Sequence, residues 1–549
     1  MGTDESFVNK IAGKGKSLNN LFYKNSFLLT IVYLLITIFI IIWTLNKGLV
    51  FSDESWYFLH WKQFSQTGTS EWPAYAKLFF PQDLLAIRYI TFSLLIFSGV
   101  LLSVGLTKFF RLKQVIKVAP ITIAGLFIFW SPVQFVPNYI TFNMFIFNAG
   151  IGFYLLMLSS DRLFSKYVWG IFSGFVFGQL FFIMITNTPY IGVLLISLFL
   201  LKEHRKYFFH YCIALVAGIF LAFVFFFVVI KPFNEYLSDM NMAVALLETD
   251  RSHGIKFILK WIKETGIYVT RDIIISAFLM YFIYTGIDKA KIIKHLSALV
   301  LAGYIVFLLA LNLLLDKFHF TTPSPVFILI LFLALMIIEK RKWQELVVIC
   351  VLVLSTFCAS LGTDVRFNVR STLYLAPLIA VIFIYFGQEE FKKINWVLHV
   401  LILFALIRFS TDFIFTPGWQ GYIIKDQKIE LKTIGINVDV KLDKDKIEEI
   451  KEIKDLIPPH SEALTNKKAS WGYFYLLNLD LQYYYFDFNE IEWRNYLSSG
   501  GRNFKELYLL ENKSIPFPES VTKDPEISNI DTIPLKTIKN MNLYKVSYR

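Results

Sequence analysis

Cysteine is scarce in this chain, with three residues in 549, and Cys212, Cys350 and Cys358 each sit inside an apolar run. They share no redox or metal-ligand spacing, so they read as packing residues and argue against a disulfide scaffold or a thiolate metal site. Histidine is sparse too, eight residues with no pair at metal-ligand spacing. The chain has no P-loop, Gly-rich nucleotide motif, internal repeat or low-complexity stretch, which disfavours a mechanism driven by a cytosolic nucleotide. Charged residues make up only 17%, whereas 56% are hydrophobic and 18% aromatic. No soluble fold needs that much apolar sequence, so the composition points to a polytopic membrane protein.

The first apolar run, Phe27 to Leu45, is long enough to cross a hydrocarbon core of roughly 30 Å and follows Lys10, Lys14, Lys16 and Lys24. No small-residue cleavage pattern follows, so it reads as an uncleaved anchor. Further runs begin near Ile87, Val118, Ile140, Val168, Tyr190, Tyr207, Asp272, Leu296, Pro325, Leu346, Thr372 and Ile394, and predict about thirteen spans. Alternate loops carry Lys108-Arg111-Lys113-Lys117, Arg162-Lys166, Lys202-Arg205-Lys206, Lys289-Lys291-Lys294, Lys340-Arg341-Lys342 and Lys392-Lys393. That bias places the N-terminus in the cytoplasm and, with an odd number of spans, the C-terminal part outside it. A bacterial inner membrane is the expected location.

Three parts are expected: a basic cytoplasmic tail (1–26), a transmembrane catalytic domain (27–415) and a soluble extracytoplasmic α/β domain (416–549). The second boundary falls at Thr416-Pro-Gly-Trp, a Pro-Gly break where the charge density jumps. Within the last part, Asp443 to Leu456 has helical periodicity closed by Pro458-Pro459, and Ala463–Asn466, Leu481–Phe488 and Leu507–Leu510 read as strands. Residues 417–549 are nearly neutral, with 19 Lys and Arg against 20 Asp and Glu, which leaves +13 for the membrane part out of a net +12. The excess is topological and implies no nucleic-acid partner.

Most of the chemistry that can be argued lies in the first outer loop, Gly48 to Ala86. Ser52 is placed to cap a helix whose first turn holds Asp53 and Glu54, followed by Trp56, Tyr57, Phe58, Leu59, Trp61 and Phe64. Such a helix would lie in the membrane interface. Acids in a first turn also complement the helix dipole, so the pair alone does not establish chemistry. Its position does more, since it comes a few residues beyond a span and beside interfacial aromatics, where a lipid headgroup would lie.

These elements together resemble the polyprenyl-phosphate-sugar-dependent glycosyltransferases of the C superfamily (GT-C), in particular the aminoarabinose transferase and protein O-mannosyltransferase branch. The resemblance covers a first span, a Gly-x-x-x-x-Asp-Glu element, an interfacial helix, a basic proline-containing stretch, and about thirteen spans ending in an outer domain. It implies that Asp53 is the catalytic base and Glu54 its supporting neighbour. It further implies that Lys77 of Tyr75-Ala76-Lys77 and Arg88 at the start of the second span bind the donor phosphate. Arg370, and with it Arg366, resembles the family's arginine before a late span and would hold phosphate oxygens in bidentate fashion. Arg251 and His253, in the long loop from Lys231 to Arg271, are candidate contacts of a loop folding over the donor.

This sequence departs from the pattern at Ala76, where relatives carry an acid. If that acid helps to hold a divalent ion, metal binding here is open, with Glu71 or Asp83 as substitutes. A second departure is Asn143, near the expected acceptor groove. The function the resemblance implies is inverting transfer of one sugar from a polyprenyl-phosphate donor to a glycan, lipid or protein acceptor on the non-cytoplasmic face. The chemistry agrees: a lipid phosphate leaves as a stabilised anion, so one carboxylate base suffices where a glycosidase also needs an acid. The alternatives are a polysaccharide polymerase or ligase, a lipid or solute transporter, and an assembly protein without catalysis. A transporter should show broken helices or charges at mid-membrane depth, and almost none are found.

Overall fold

A computed structural model of the chain describes residues 5–50, 54, 55, 57–59, 70–128, 135–238, 240, 241, 266, 343–359, 371–386, 395–415, 423–465, 470–481, 506–512, 530–539 and 541–548. Asp53, Arg251, His253, Arg366 and Arg370 lie outside the described residues. So do the runs expected to start near Asp272, Leu296 and Pro325, the boundary at Thr416, and most of the strand expected over Leu481–Phe488.

The chain begins with α1 (Glu5–Thr44), whose apolar portion Lys24–Thr44 is 21 residues long. The expected basic tail is thus helical backbone continuous with the first span. No proline occurs before Pro73 to interrupt it. After a turn at Leu45–Lys47, Gly48 takes φ +71, a left-handed conformation that glycine adopts without a Cβ clash, and the chain leaves the helix there. Next come α2 (Trp72–Phe79), with Pro73 in its first turn, and α3 (Leu84–Phe109), capped by Asp83. The run from Val118 forms only the short α4 (Ala119–Gly125). Then α5 (Tyr139–Ser159) starts in a capping box of Asn138 and Thr141. It is followed by α6 (Leu163–Gly178), α7 (Leu180–Ile183), α8 (Pro189–Leu200) and α9 (Phe208–Phe225), the last running into a π turn, Phe226–Ile230. Described later in the chain are α10 (Trp343–Cys358), α11 (Ala376–Phe386) and α12 (Asn395–Phe415).

Among the described residues, five helices are long and apolar enough to span a bilayer: Lys24–Thr44, Leu84–Phe109, Tyr139–Ser159, Leu163–Ile183 and Lys202–Ile230. Shorter apolar helices fill out the bundle. Its surface carries large exposed apolar side chains such as Phe39, Phe164, Phe209 and Val228. A surface of this kind suits contact with lipid rather than water.

Glycines let the helices approach closely. On α6, Gly170, Gly174 and Gly178 face Ala214, Gly218 and Ala222 of α9, and a Cβ on Gly174 would overlap the Leu215 carbonyl. Small residues four apart on both helices permit backbone contact in an environment where apolar burial alone gives no preference. Gly105 of α3 and Gly152 of α5 meet the same way. Because α6 and α9 run parallel, the basic stretches Arg162–Lys166 and Lys202–Lys206 fall at one end of the bundle, where Lys166 Nζ donates to the Tyr211 hydroxyl. The opposite end holds the features described below.

The C-terminal part contains β1 (Ile429–Glu430), β2 (Lys441–Leu442), α13 (Lys444–Lys454), β3 (Glu462–Thr465), α14 (Trp471–Leu477), β4 (Asp480–Leu481), β5 (Glu506–Asn512), β6 (Ile530–Ile538) and β7 (Met541–Tyr548). Helix α13 forms where the periodicity predicts, with Asp443 as its cap and Ile447, Ile450 and Ile453 buried. The main sheet has the order β4-β3-β5-β7-β6, with β3 parallel to both its neighbours and β7 antiparallel to β5 and β6.

Candidate active site at the end of the first span

Glu54 does not behave as a solvated first-turn acid. It is 1% exposed. Its Oε2 accepts the Val50 N–H at 2.9 Å, and its Oε1 accepts from Arg88 Nε at 2.9 Å and Nη2 at 2.6 Å. The Ser55 N–H and hydroxyl both donate to the Val50 carbonyl. Arg88 comes from the second turn of α3 and is 4% exposed. Its remaining bonds go to carbonyls at the end of the first span, Nη1 to Leu45 at 2.7 Å and Nη2 to Gly48 at 2.9 Å. A planar guanidinium with several fixed donors meets this set of acceptors in a way that an ammonium cannot.

The C-terminal part closes over the same turn. Lys441 of β2 donates its N–H to the Asn46 carbonyl at 2.9 Å, and the Gly48 N–H donates to the Lys441 carbonyl at 2.8 Å. A parallel bridge between Lys47 and Lys441 results, so the turn that supplies carbonyls to Arg88 also pairs with β2. From α14, Tyr475 stacks on Phe58 with ring centroids 5.1 Å apart. Burial, and then the nearby Glu54 carboxylate, push the Tyr475 phenol up, with Arg88 acting in the opposite sense. That phenol stays neutral at physiological pH.

A second buried ion pair lies at this end. Glu71, 2% exposed, accepts from Lys231 Nζ at 2.8 Å, and Lys231 is 5% exposed. Glu71 also donates its N–H to the Phe182 carbonyl at 2.8 Å. Lys231 directly follows the π turn, which its own N–H closes onto the Phe226 carbonyl. The Phe182 and Phe226 rings stack beneath, 3.7 Å between centroids, and Tyr236 packs on both. Burial and then Glu71 raise the Tyr236 phenol. Nearby, the Tyr75 hydroxyl donates to Gln179, and Asn143 Nδ2 points at Met184 Sδ. Asn143 Oδ1 and both amide atoms of Asn187 are buried without a hydrogen-bond partner among the described residues.

Of the residues singled out from the sequence, the structure joins Glu54 and Arg88 directly. It leaves Lys77 exposed on the last turn of α2. Asp83 caps α3 by accepting the Ala86 N–H. Glu71, the other acid considered for a metal, is committed to Lys231. No group of three potential metal-ligating residues occurs among the described residues, and both buried carboxylates are balanced by a cation. The donor set of the described residues does not fit a divalent ion, and no step below uses one. Sequence reasoning missed Lys231, Asn187 and Tyr475. Only Lys231 carried a local signal, being the first charge after a long apolar run.

Fold and site together define an integral membrane protein with two buried carboxylate–cation pairs at one end of its helix bundle. No protein-family model and no curated protein matches this chain. Among solved structures it is similar to the Archaeoglobus fulgidus oligosaccharyltransferase in complex with Zn and sulfate, at 13% identity and a TM-score of 0.46, covering 88% of this chain and 68% of that one. It is also similar to ArnT from Cupriavidus metallidurans in the apo state, at 11% identity and a TM-score of 0.38, covering 97% of this chain and 98% of that one. Both are GT-C glycosyltransferases, the superfamily that the sequence resembles. At these scores the likeness carries no argument about activity, which rests on the residues.

Proposed function

We propose that this protein is a membrane glycosyltransferase that moves one sugar from a polyprenyl-phosphate donor to a hydroxyl acceptor at the non-cytoplasmic surface. The observation that carries the reading is the burial of Glu54 between the Val50 N–H and Arg88. This pins the turn at the end of the first span, next to Asp53 in the sequence. Since both Glu54 oxygens are engaged, Glu54 is the positioning acid and Asp53 is the base.

In the proposed reaction, the acceptor oxygen attacks the anomeric carbon while Asp53 takes its proton. The bond from that carbon to the phosphate oxygen breaks in the same displacement, the polyprenyl phosphate leaves as an anion, and the anomeric configuration inverts. Arg88 holds Glu54 and the span end, acting through them, while Lys77, Arg366 and Arg370 supply positive charge to the leaving phosphate. Arg251 and His253 are loop contacts in the same reading, and the C-terminal part roofs the site through Tyr475. A mid-membrane transport path has no comparable support in these residues.

The test uses purified full-length protein in proteoliposomes with a polyprenyl-phosphate sugar and mass-spectrometric detection of product. Asp53→Asn should keep the wild-type melting temperature and lose about 10²- to 10⁴-fold in transfer, the usual worth of a general base. Wild-type turnover in that variant would end the proposal.

A further inference from the structure

Just beyond the first span lies a group of lysines that the proposed reaction does not use. Lys47 and Lys441 are partners across the parallel bridge, and Glu430 pairs with Lys441 on the other side, at 3.4 Å between Nζ and Oε1. The Lys428 N–H donates to the Leu442 carbonyl, and position 428 has the same strand parity as Glu430, so Lys428 shares their face. Lys47 Nζ sits 3.0 Å from the centroid of the Trp43 ring. Burial, then Lys441 and Lys428, hold the Lys47 ammonium below its usual range, and no carboxylate is among the groups that act on it. Like charges gathered this way are unfavourable until an anion joins them.

The height of this group relative to the bilayer follows from helix packing. His399 of α12 contacts Ser26 at 2.8 Å and Tyr33 at 3.4 Å on α1. Phe415 ends α12 beside Lys425, and the chain from there leads into β1 and β2, which pairs with the turn after the first span. Phe415 is 55% exposed and Trp43 37%, and Lys425 Nζ lies 5.3 Å above the Phe415 ring. The first span and the neighbouring helix α12 therefore both end in exposed aromatic rings with lysines beside them. That is the arrangement of the membrane interface, where lipid phosphates lie.

We propose that Lys47, Lys428 and Lys441, over Trp43, bind the phosphate of an anionic membrane phospholipid at the junction between the first span and the C-terminal part. The bound headgroup adds a second anion to Glu430 beside Lys441, offsets the repulsion of Lys47 and Lys428, and ties β2 to the bilayer surface. None of the three lysines takes part in the proposed reaction.

Binding is measured by native mass spectrometry on the full chain in detergent, titrated with phosphatidylglycerol, with phosphatidylcholine of the same acyl chains, or with inorganic phosphate. Phosphatidylglycerol should bind, and the other two should not bind at the same concentration. The triple variant Lys47→Gln/Lys428→Gln/Lys441→Gln should lose about a hundredfold in affinity, from about fivefold per lysine. A control triple, Lys444→Gln/Lys451→Gln/Lys536→Gln, removes as much charge from the solvated face and should bind as the wild type does. If the first triple fails to fold, Lys428→Gln alone, at an exposed position, should show the fivefold loss. Equal loss in both triples, full binding by Lys428→Gln, or equal retention of phosphatidylcholine or inorganic phosphate overturns the proposal.

Discussion

Glu54 and Glu71 are both buried against a cation at the same end of the bundle, yet they are held in different ways. Glu54 meets a guanidinium that also gathers two carbonyls from the end of the first span, across 34 residues of sequence. Glu71 meets a single ammonium 160 residues away, on the far side of a π turn. The first pair organises a turn from within, with Arg88 making four hydrogen bonds to the carboxylate and the two carbonyls. The second is a suture between two segments, the stretch before α2 and the exit of α9. Removing a partner should expose this difference, because the stranded groups are not alike.

The largest effect is expected from Arg88→Met, which leaves Glu54 and two carbonyls buried without their donor. A loss of about 3–5 kcal/mol in unfolding free energy, measured by denaturant titration in detergent, is the usual cost of a stranded buried charge. Transfer activity should fall with it. Lys231→Met takes the cation from one buried carboxylate and should cost about 3 kcal/mol, the lower end of the same range. Adding Glu71→Gln to it should recover most of that loss, because the uncompensated charge is gone. Equal losses in the two single variants would erase the distinction drawn here.

Arg88→Lys sharpens the comparison further. It keeps the charge but not the fork, and should cost about 1–2 kcal/mol for the carbonyl bonds it cannot make. Wild-type stability in that variant would show that charge alone holds the turn. The smallest effect belongs to Tyr475→Phe, which keeps the stack on Phe58 and removes a phenol that does not titrate. It should shift stability by less than about 1 kcal/mol and leave the pH profile of transfer between pH 6 and 9 unchanged. A moved profile would place the Tyr475 proton in the reaction.

Parts of the architecture were legible in residue order. Asp443 and the isoleucines after it announce α13 because an N-cap and a helical apolar stripe are local signals. The hairpin of β6 and β7 was not foreseen, since Pro534 interrupts the pattern of its first strand. The structure puts β6 at the sheet edge, with a bulge between Pro534 and Lys536, where a missing N–H costs no ladder bond. The four-residue spacing of Gly170, Gly174 and Gly178 was in plain view but gains meaning only when Ala214, Gly218 and Ala222 of α9 face it. Glu54 could be singled out by position, but its burial could not.

What the sequence by itself determined is the membrane character, the place of the Asp53–Glu54 pair just past the first span, and the basic stretches between apolar runs. These depend on run length, hydropathy and charge, which are properties of contiguous residues. Only the tertiary structure decided which cation meets which acid, and that β2 and Tyr475 close over the first turn. Partners 34, 160, 393 and 417 residues apart are brought together by helix packing and strand pairing, and no local periodicity encodes those distances.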